Sequence, residues 1–151
     1  MADPLLAHVV VPIGTEDDAT ATCDALEPFI DEEITKITVV HVIERTEGYP
    51  DKAPFEARKN VAERIFRIVA DRFQDRIDIE SELRYGTDPV EEIFATAESV
   101  DATAIGFTHQ PDSRLKRFLS RTDPYQFVTE NEQPVIAFSR VESSDSNDTA
   151  T

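Results

Sequence analysis

The sequence is short of cysteine, of lysine and of long apolar runs, and each shortage closes off a class of protein. Cys23 is the only cysteine, so no intrachain disulfide can form, in keeping with a reducing compartment. No run approaches the roughly 18–20 consecutive apolar residues of a membrane span. The first residues, Met1 to Ala7, carry neither a basic segment nor a long apolar stretch. Export is therefore not expected, and the protein is placed in the cytoplasm.

Lysine is confined to Lys36, Lys52, Lys59 and Lys116. Only 15 Lys and Arg stand against 31 Asp and Glu, leaving a net charge of −16 and a pI near 4.4. A surface this acidic repels nucleic acid and anionic membrane, so neither is an expected partner. Two readings of the charge stay open. One is adaptation to molar salt, where a Debye length of ~3 Å screens self-repulsion. The other is an ordinary acidic cytosolic protein.

Catalytic groupings are missing as well. His8, His41 and His109 are scattered, and no Cys or carboxylate cluster has metal-ligand spacing. Neither a G-x-S-x-G elbow nor a phosphate-binding Walker loop is present. Asp17-Asp18, Glu32-Glu33 and Glu91-Glu92 read as adjacent helix residues that point apart, hence as solvated surface. His41, inside an apolar run, reads as a structural histidine.

What is present is a chain of 151 residues, 40% apolar, enough for one domain with a buried core. His8 to Ile13 and Lys36 to Ile43 are continuous apolar runs that predict buried strands. Between them the helical spacing of Ala19, Cys23, Leu26 and Ile30 predicts a helix, with Cys23 on its apolar face.

 

Glu44 to Ala53, with Gly48 and Pro50, predicts a loop. Val61, Ile65, Ile68, Val69 and Phe73 then mark one stripe of a second helix, whose Arg58, Arg64, Arg67 and Arg72 read as solvated surface. Ile77 to Tyr85 alternates apolar and polar residues, as an edge strand with one less buried face does. Asp88 at N-cap and Pro89 at N1 open a third helix, buried through Val90, Ile93, Phe94, Ala97 and Val100. Asp101 to Phe107 predicts strand four. Pro124 opens a short fourth helix with Phe127 and Val128, and Pro134 to Phe138 is the last strand. The domain spans residues 1–140, and the polar remainder, 141–151, is expected to be a disordered tail.

Strands separated by helices run parallel with right-handed crossovers, which gives a three-layer α/β/α sandwich with a five-stranded parallel sheet. Ligands in such sheets bind beyond the carboxyl ends of the strands, where strand order reverses. If strands one and four are neighbours, Pro12 to Asp17 and Gly106 to Arg114 line that crevice. Arg114, Lys116, Arg117 and Arg121 then concentrate positive charge beside it. They either hold a small anionic ligand such as a phosphate or pair with nearby carboxylates.

These residues resemble those of the universal stress proteins. Val9-Val10-Val11-Pro12 and Thr38-Val39-Val40-His41-Val42-Ile43 are similar to that family's first two strands. Gly86-Thr87-Asp88-Pro89-Val90-Glu91-Glu92-Ile93 is similar to its G-[DN]-P-x-x-x-I helix start. Asp101 to Gly106 resembles its D-[AL]-I-x-[MV]-G strand, Leu115-Lys116-Arg117 its L-K-R stretch, and Gln133 to Ile136 its closing C-P-V-L. The resemblance runs from residue 6 to residue 140. It implies strand order 3-2-1-4-5, a stress-response role without an enzymatic step, and homodimers through strand five, placing Val135, Ile136 and Phe138 at the interface.

In one branch the resemblance also implies ATP, held by G-x2-G-x9-G-[ST]. Here the sequence departs from the pattern. Gly106 matches the first glycine, His109 or Gln110 stands at the second, and Arg121 at the third, with Thr122 keeping the hydroxyl. The loop is two residues longer, and Pro111 has no N–H to offer a phosphate. The strand-one aspartate of the family is replaced by Gly14 or deleted. Weak or absent ATP binding follows as the expectation. The alternative is a nucleotide- or phosphate-binding member, with slow ATP hydrolysis as its enzymatic form. Its ligand contacts are Pro12, Ile13, Gly14, Val42, Gly106, Thr108, Arg114, Arg117, Arg121 and Thr122.

Overall fold

The computed structural model of the protein describes residues 4–44, 52–108 and 133–138, with the backbone course alone for 52–54. Its elements are β1 (His8–Pro12), α1 (Glu16–Leu26), a 3-10 turn (Glu27–Phe29), β2 (Lys36–Glu44), α2 (Lys52–Phe73), β3 (Asp78–Gly86), α3 (Pro89–Ser99), β4 (Ala104–Thr108) and β5 (Val135–Phe138). All five strands are parallel, in the order β3-β2-β1-β4-β5. That is the order expected from the resemblance. The fourth helix, the loop centre at Gly48 and Pro50, and the tail at 141–151 lie outside the described residues.

Alternation along the strands sends successive side chains to opposite faces, and each face carries its own core. Val9, Val11, Ile37 and Val39 pack with Ala19, Cys23 and Leu26 of α1 and Ile65, Val69 and Phe73 of α2. On the other face Val10, Val40 and Ile105 pack with Ile93 and Ala97 of α3. The central strands are buried on both faces, whereas β3 is mostly exposed or half-buried, as its alternating sequence anticipates. Cys23 is buried in the first core, and burial pushes its thiol up to about 11, so it stays a protonated packing residue.

Helix ends follow local chemistry. Thr15 caps α1 by accepting from the Asp18 N–H at 3.0 Å, and Asp88 caps α3 by accepting from Glu91 N–H at 3.3 Å. At the far end of α3, Asp101 takes φ 57°, and the amides of Asp101 and Ala102 donate back to Glu98 and Ala97. This is a Schellman closure with aspartate in the left-handed position that glycine usually fills. It corrects the expectation that strand four begins at Asp101, because the chain is still leaving the helix there and β4 starts at Ala104.

Two readings of surface charge are corrected as well. Glu32 and Glu33 lie in a turn after the 3-10 segment, not on a helix. Arg64 and Arg72 of α2 are exposed but not merely solvated. Arg64 pairs with Glu16 at 2.8 Å, and Arg72 with Asp24 at 2.7 Å and Glu27 at 3.1 Å. These pairs link α2 to α1 and to the 3-10 turn that follows it.

Candidate ligand crevice

Strand order reverses between β1 and β4, so the crevice expected of such a sheet opens beyond their carboxyl ends. The Ile13 N–H donates to the Val40 carbonyl at 3.0 Å. The Ile13 carbonyl accepts from His41 Nδ1 at 2.8 Å. A carbonyl only accepts, so the proton of that bond is on Nδ1. His41 is thus structural, as its place in an apolar run implied: it fastens the end of β1 to β2.

Ile13 turns its side chain into the core, so its backbone alone can meet a ligand. Gly14 follows, and a methyl group added there would meet no described atom within 4 Å. Among the described residues nothing crowds the chain immediately after β1. β1 pairs with β4 through Val9 with Ala104 and Val10 with Ile105, so the two strands lie side by side. Pro12 on β1, with Ile13 and Gly14 just beyond it, thus stands next to the strand that carries Gly106 and Thr108. Val42 stands on β2, paired with Arg84 of β3, farther out along the same end. Arg114, Arg117, Arg121 and Thr122 lie outside the described residues, as do Lys116 and His109.

Gly106 and Thr108 also have local duties. A methyl group at Gly106 would stand 2.6 Å from the Phe138 ring and 3.0 Å from Val9, so packing alone demands glycine there. The Thr108 hydroxyl donates to Thr22 Oγ1 at 3.0 Å, both residues being buried, which turns it toward α1.

Sequence reasoning read Asp17-Asp18 as solvated surface and did not weigh the charge of the first turn of α1 beside the crevice. Glu16, Asp17 and Asp18 begin two residues after Gly14, at the carboxyl end of β1. A helix N-terminus attracts anions, but here the chain supplies its own. The signal was legible in Thr15-x-x-Asp18, a capping pattern that fixes where the helix starts. Arg84 was also missed. Its Nε donates to Thr96 Oγ1 at 2.7 Å, and that hydroxyl donates to the Glu92 carbonyl at 2.8 Å. Among the described residues, no group of three His, Cys, Asp or Glu is arranged to hold a metal ion. No described helix is long and apolar enough to cross a membrane.

At the other edge of the sheet, Val135 and Ile136 of β5 are half-buried and Ala137 is exposed. Phe138 is already buried within the chain, at 5% exposure, with its ring 5.3 Å from Phe29 in an edge-on contact. The expectation that Phe138 loses water on association is corrected on that ground. Beside β5 an apolar groove of about 440 Å³ runs between Leu5, Pro28, Phe29 and Ile136.

No family profile matches the sequence, and no curated relative does. Solved structures do match. A universal stress protein family member from Burkholderia pseudomallei superposes with a TM-score of 0.65 at 19% identity, over 91% of this chain and 98% of that one. The fold is that of the universal stress proteins. A family member from Arabidopsis thaliana, solved with AMP bound, matches at TM-score 0.64 and 15% identity, covering 94% of this chain and 97% of its own. A universal stress protein in complex with cAMP matches at TM-score 0.54 and 20% identity, covering 89% and 99%. At such identities the universal stress protein fold is what is shared, and function has to be argued from the site.

Proposed function

We propose that this chain acts as a universal stress protein-like regulator in the cytoplasm, a homodimer without catalytic turnover whose ATP loop is impaired. The observation that carries the reading is the sheet order β3-β2-β1-β4-β5 over the full set of strands, shared with universal stress proteins across nine-tenths of the chain. The loop argument rests on the sequence: His109 or Gln110 and Arg121 stand where the resemblance asks for glycine, and Pro111 removes an amide. Val135 and Ile136 on the edge strand supply the dimer contact, with Phe138 packed beneath them. The acidic, lysine-poor surface supports a cell interior of high salt.

A second reading is favoured by the neighbours that carry AMP and cAMP and by Gly14, beside which no described atom would meet a methyl group. Under it the crevice holds a nucleotide-type ligand, with Pro12, Ile13, Gly14 and Val42 on one side and Arg114, Arg117, Arg121 and Thr122 toward phosphate. The nucleotide content of the purified protein separates the two readings. Absorbance ratio and chromatography of the denatured extract should show no bound nucleotide under the first. Stoichiometric nucleotide establishes the second.

A further inference from the structure

We propose that the free edge of β3 docks an extended segment of a partner protein in which basic and apolar residues alternate. The surface is separate from the β5 contact and from the crevice, and depends on neither. β3 ends the sheet, and among the described residues no strand pairs with its outer side. The Asp78 amide donates inward to the Thr35 carbonyl at 3.2 Å, and in a parallel ladder alternate residues turn their peptide groups the same way. Glu80, Glu82 and Arg84 therefore turn their peptide groups toward β2. Ile79, Ser81, Leu83 and Tyr85 hold theirs outward. Such a row of unpaired N–H and C=O groups is a template for an added strand.

Side chains select the occupant. By alternation Asp78, Glu80 and Glu82 share the α3 side of the strand with Arg84. Arg84 is held to Thr96 at 2.7 Å, and Lys36 answers Glu80 at 3.3 Å. Asp78 and Glu82 have no cationic partner among the described residues. On the α2 side Ile79 and Leu83 are half-buried. Tyr85, 42% exposed, stacks there on Phe55, 37% exposed, with ring centroids 5.4 Å apart. Among the described residues Leu5 is the only other large apolar side chain so exposed. A strand laid along this edge has the same two-residue period. Its side chains on one side meet carboxylates, which lysine or arginine fit, and on the other meet apolar and aromatic surface.

Charged residues on an edge strand also guard it against pairing with itself. A second copy of β3 would bring Asp78, Glu80 and Glu82 against carboxylates of the same kind, and like charges placed opposite repel. The other edge strand, β5, is Val135-Ile136-Ala137-Phe138 and offers no cation. Neither edge of this chain therefore matches β3. A basic segment of another protein does, and the net charge of −16 draws it toward the molecule.

The test uses the full chain and two labelled, end-capped peptides of equal composition, one alternating lysine with valine, the other with its lysines in one block. Fluorescence anisotropy is read at ~0.1 M KCl, where the Debye length is ~10 Å. The alternating peptide should bind at least about ten-fold more tightly than the blocked one, a difference of about 1.4 kcal/mol. Asp78→Asn with Glu82→Gln should weaken it about five-fold, since each cross-strand charge pair contributes a fraction of a kcal/mol. Asp17→Asn with Glu63→Gln, an equal change of charge on α1 and α2, should leave it unchanged. Hydrogen exchange on the unaltered protein should show the peptide slowing the amides of Ile79, Ser81, Leu83 and Tyr85. Equal binding of the two peptides, or an equal effect of the two double variants, reduces the attraction to net charge and overturns the proposal. Protection at Val135 and Ala137 instead, or no binding of the alternating peptide, overturns it as well.

Discussion

At Gly106 a single missing methyl group decides how β4 meets its neighbours. The Phe138 ring occupies the place where a Cβ would stand, 2.6 Å away, and Val9 closes the other side. Gly106→Ala should lower stability by about 1–3 kcal/mol, the usual range for overfilling a packed core. Chemical denaturation reads this, and Phe138→Leu in the same chain should recover part of the loss. A neutral Gly106→Ala would contradict the packing account. The sequence drew attention to Gly106 through its place at the crevice and through family patterns, not through packing, because the ring that needs the space comes from a distant strand. His8 makes a pH-dependent contribution. Its Nε2 lies 2.8 Å from Thr38 Oγ1, and burial, then Lys36, holds its pKa below the ordinary 6.5. The folded state thus binds fewer protons than the unfolded state, so this stability is present above pH 6.5 and is lost as pH falls toward the folded value. Melting temperature measured from pH 7.5 to 5.5 should fall, and fall less in His8→Asn.

Elements with strong local signals were legible, and those shaped by partners were not. Asp88-Pro89 announces α3 because an N-cap followed by proline satisfies orphan amides whatever the surroundings. The end of α3 was hidden, since aspartate at φ 57° imitates what glycine normally signals. Arg64 and Arg72 of α2 looked solvated because their carboxylate partners on α1 sit more than forty residues away. For β5, direction matters to association. The Ile105 amide donates to the Pro134 carbonyl at 2.8 Å, so Pro134 and Ile136 turn their peptide groups toward β4. Val135 and Ala137 then present theirs outward, as templates for pairing with a second copy. Sedimentation at micromolar concentration and high salt should show a dimer. Ala137→Pro, which removes one outward N–H from an edge strand, should shift it toward monomer without unfolding it. Monomer alone in the unaltered protein would count against the β5 interface.

The whole molecule was the most legible scale. Apolar runs separated by amphipathic helices leave few alternatives to a parallel sheet, and the resemblance supplied the order. The candidate site was legible as a place in the topology, the crevice between β1 and β4, but not as chemistry. The capping turn of α1 reads as ordinary surface in sequence, and its place beside that crevice shows only once β1 is seen to end before it. Charge is the other property of the whole. With a net −16, self-repulsion should destabilise the fold as ionic strength falls. Melting temperature should rise steeply from tens of millimolar to molar KCl, and a flat profile would leave a merely acidic protein. The central claim, a regulator whose loop does not hold ATP, is tested most directly by calorimetry with Mg-ATP in high salt. The account predicts no binding tighter than roughly millimolar, about −4 kcal/mol. Micromolar affinity that disappears when Arg117 and Arg121 are changed to alanine would contradict it.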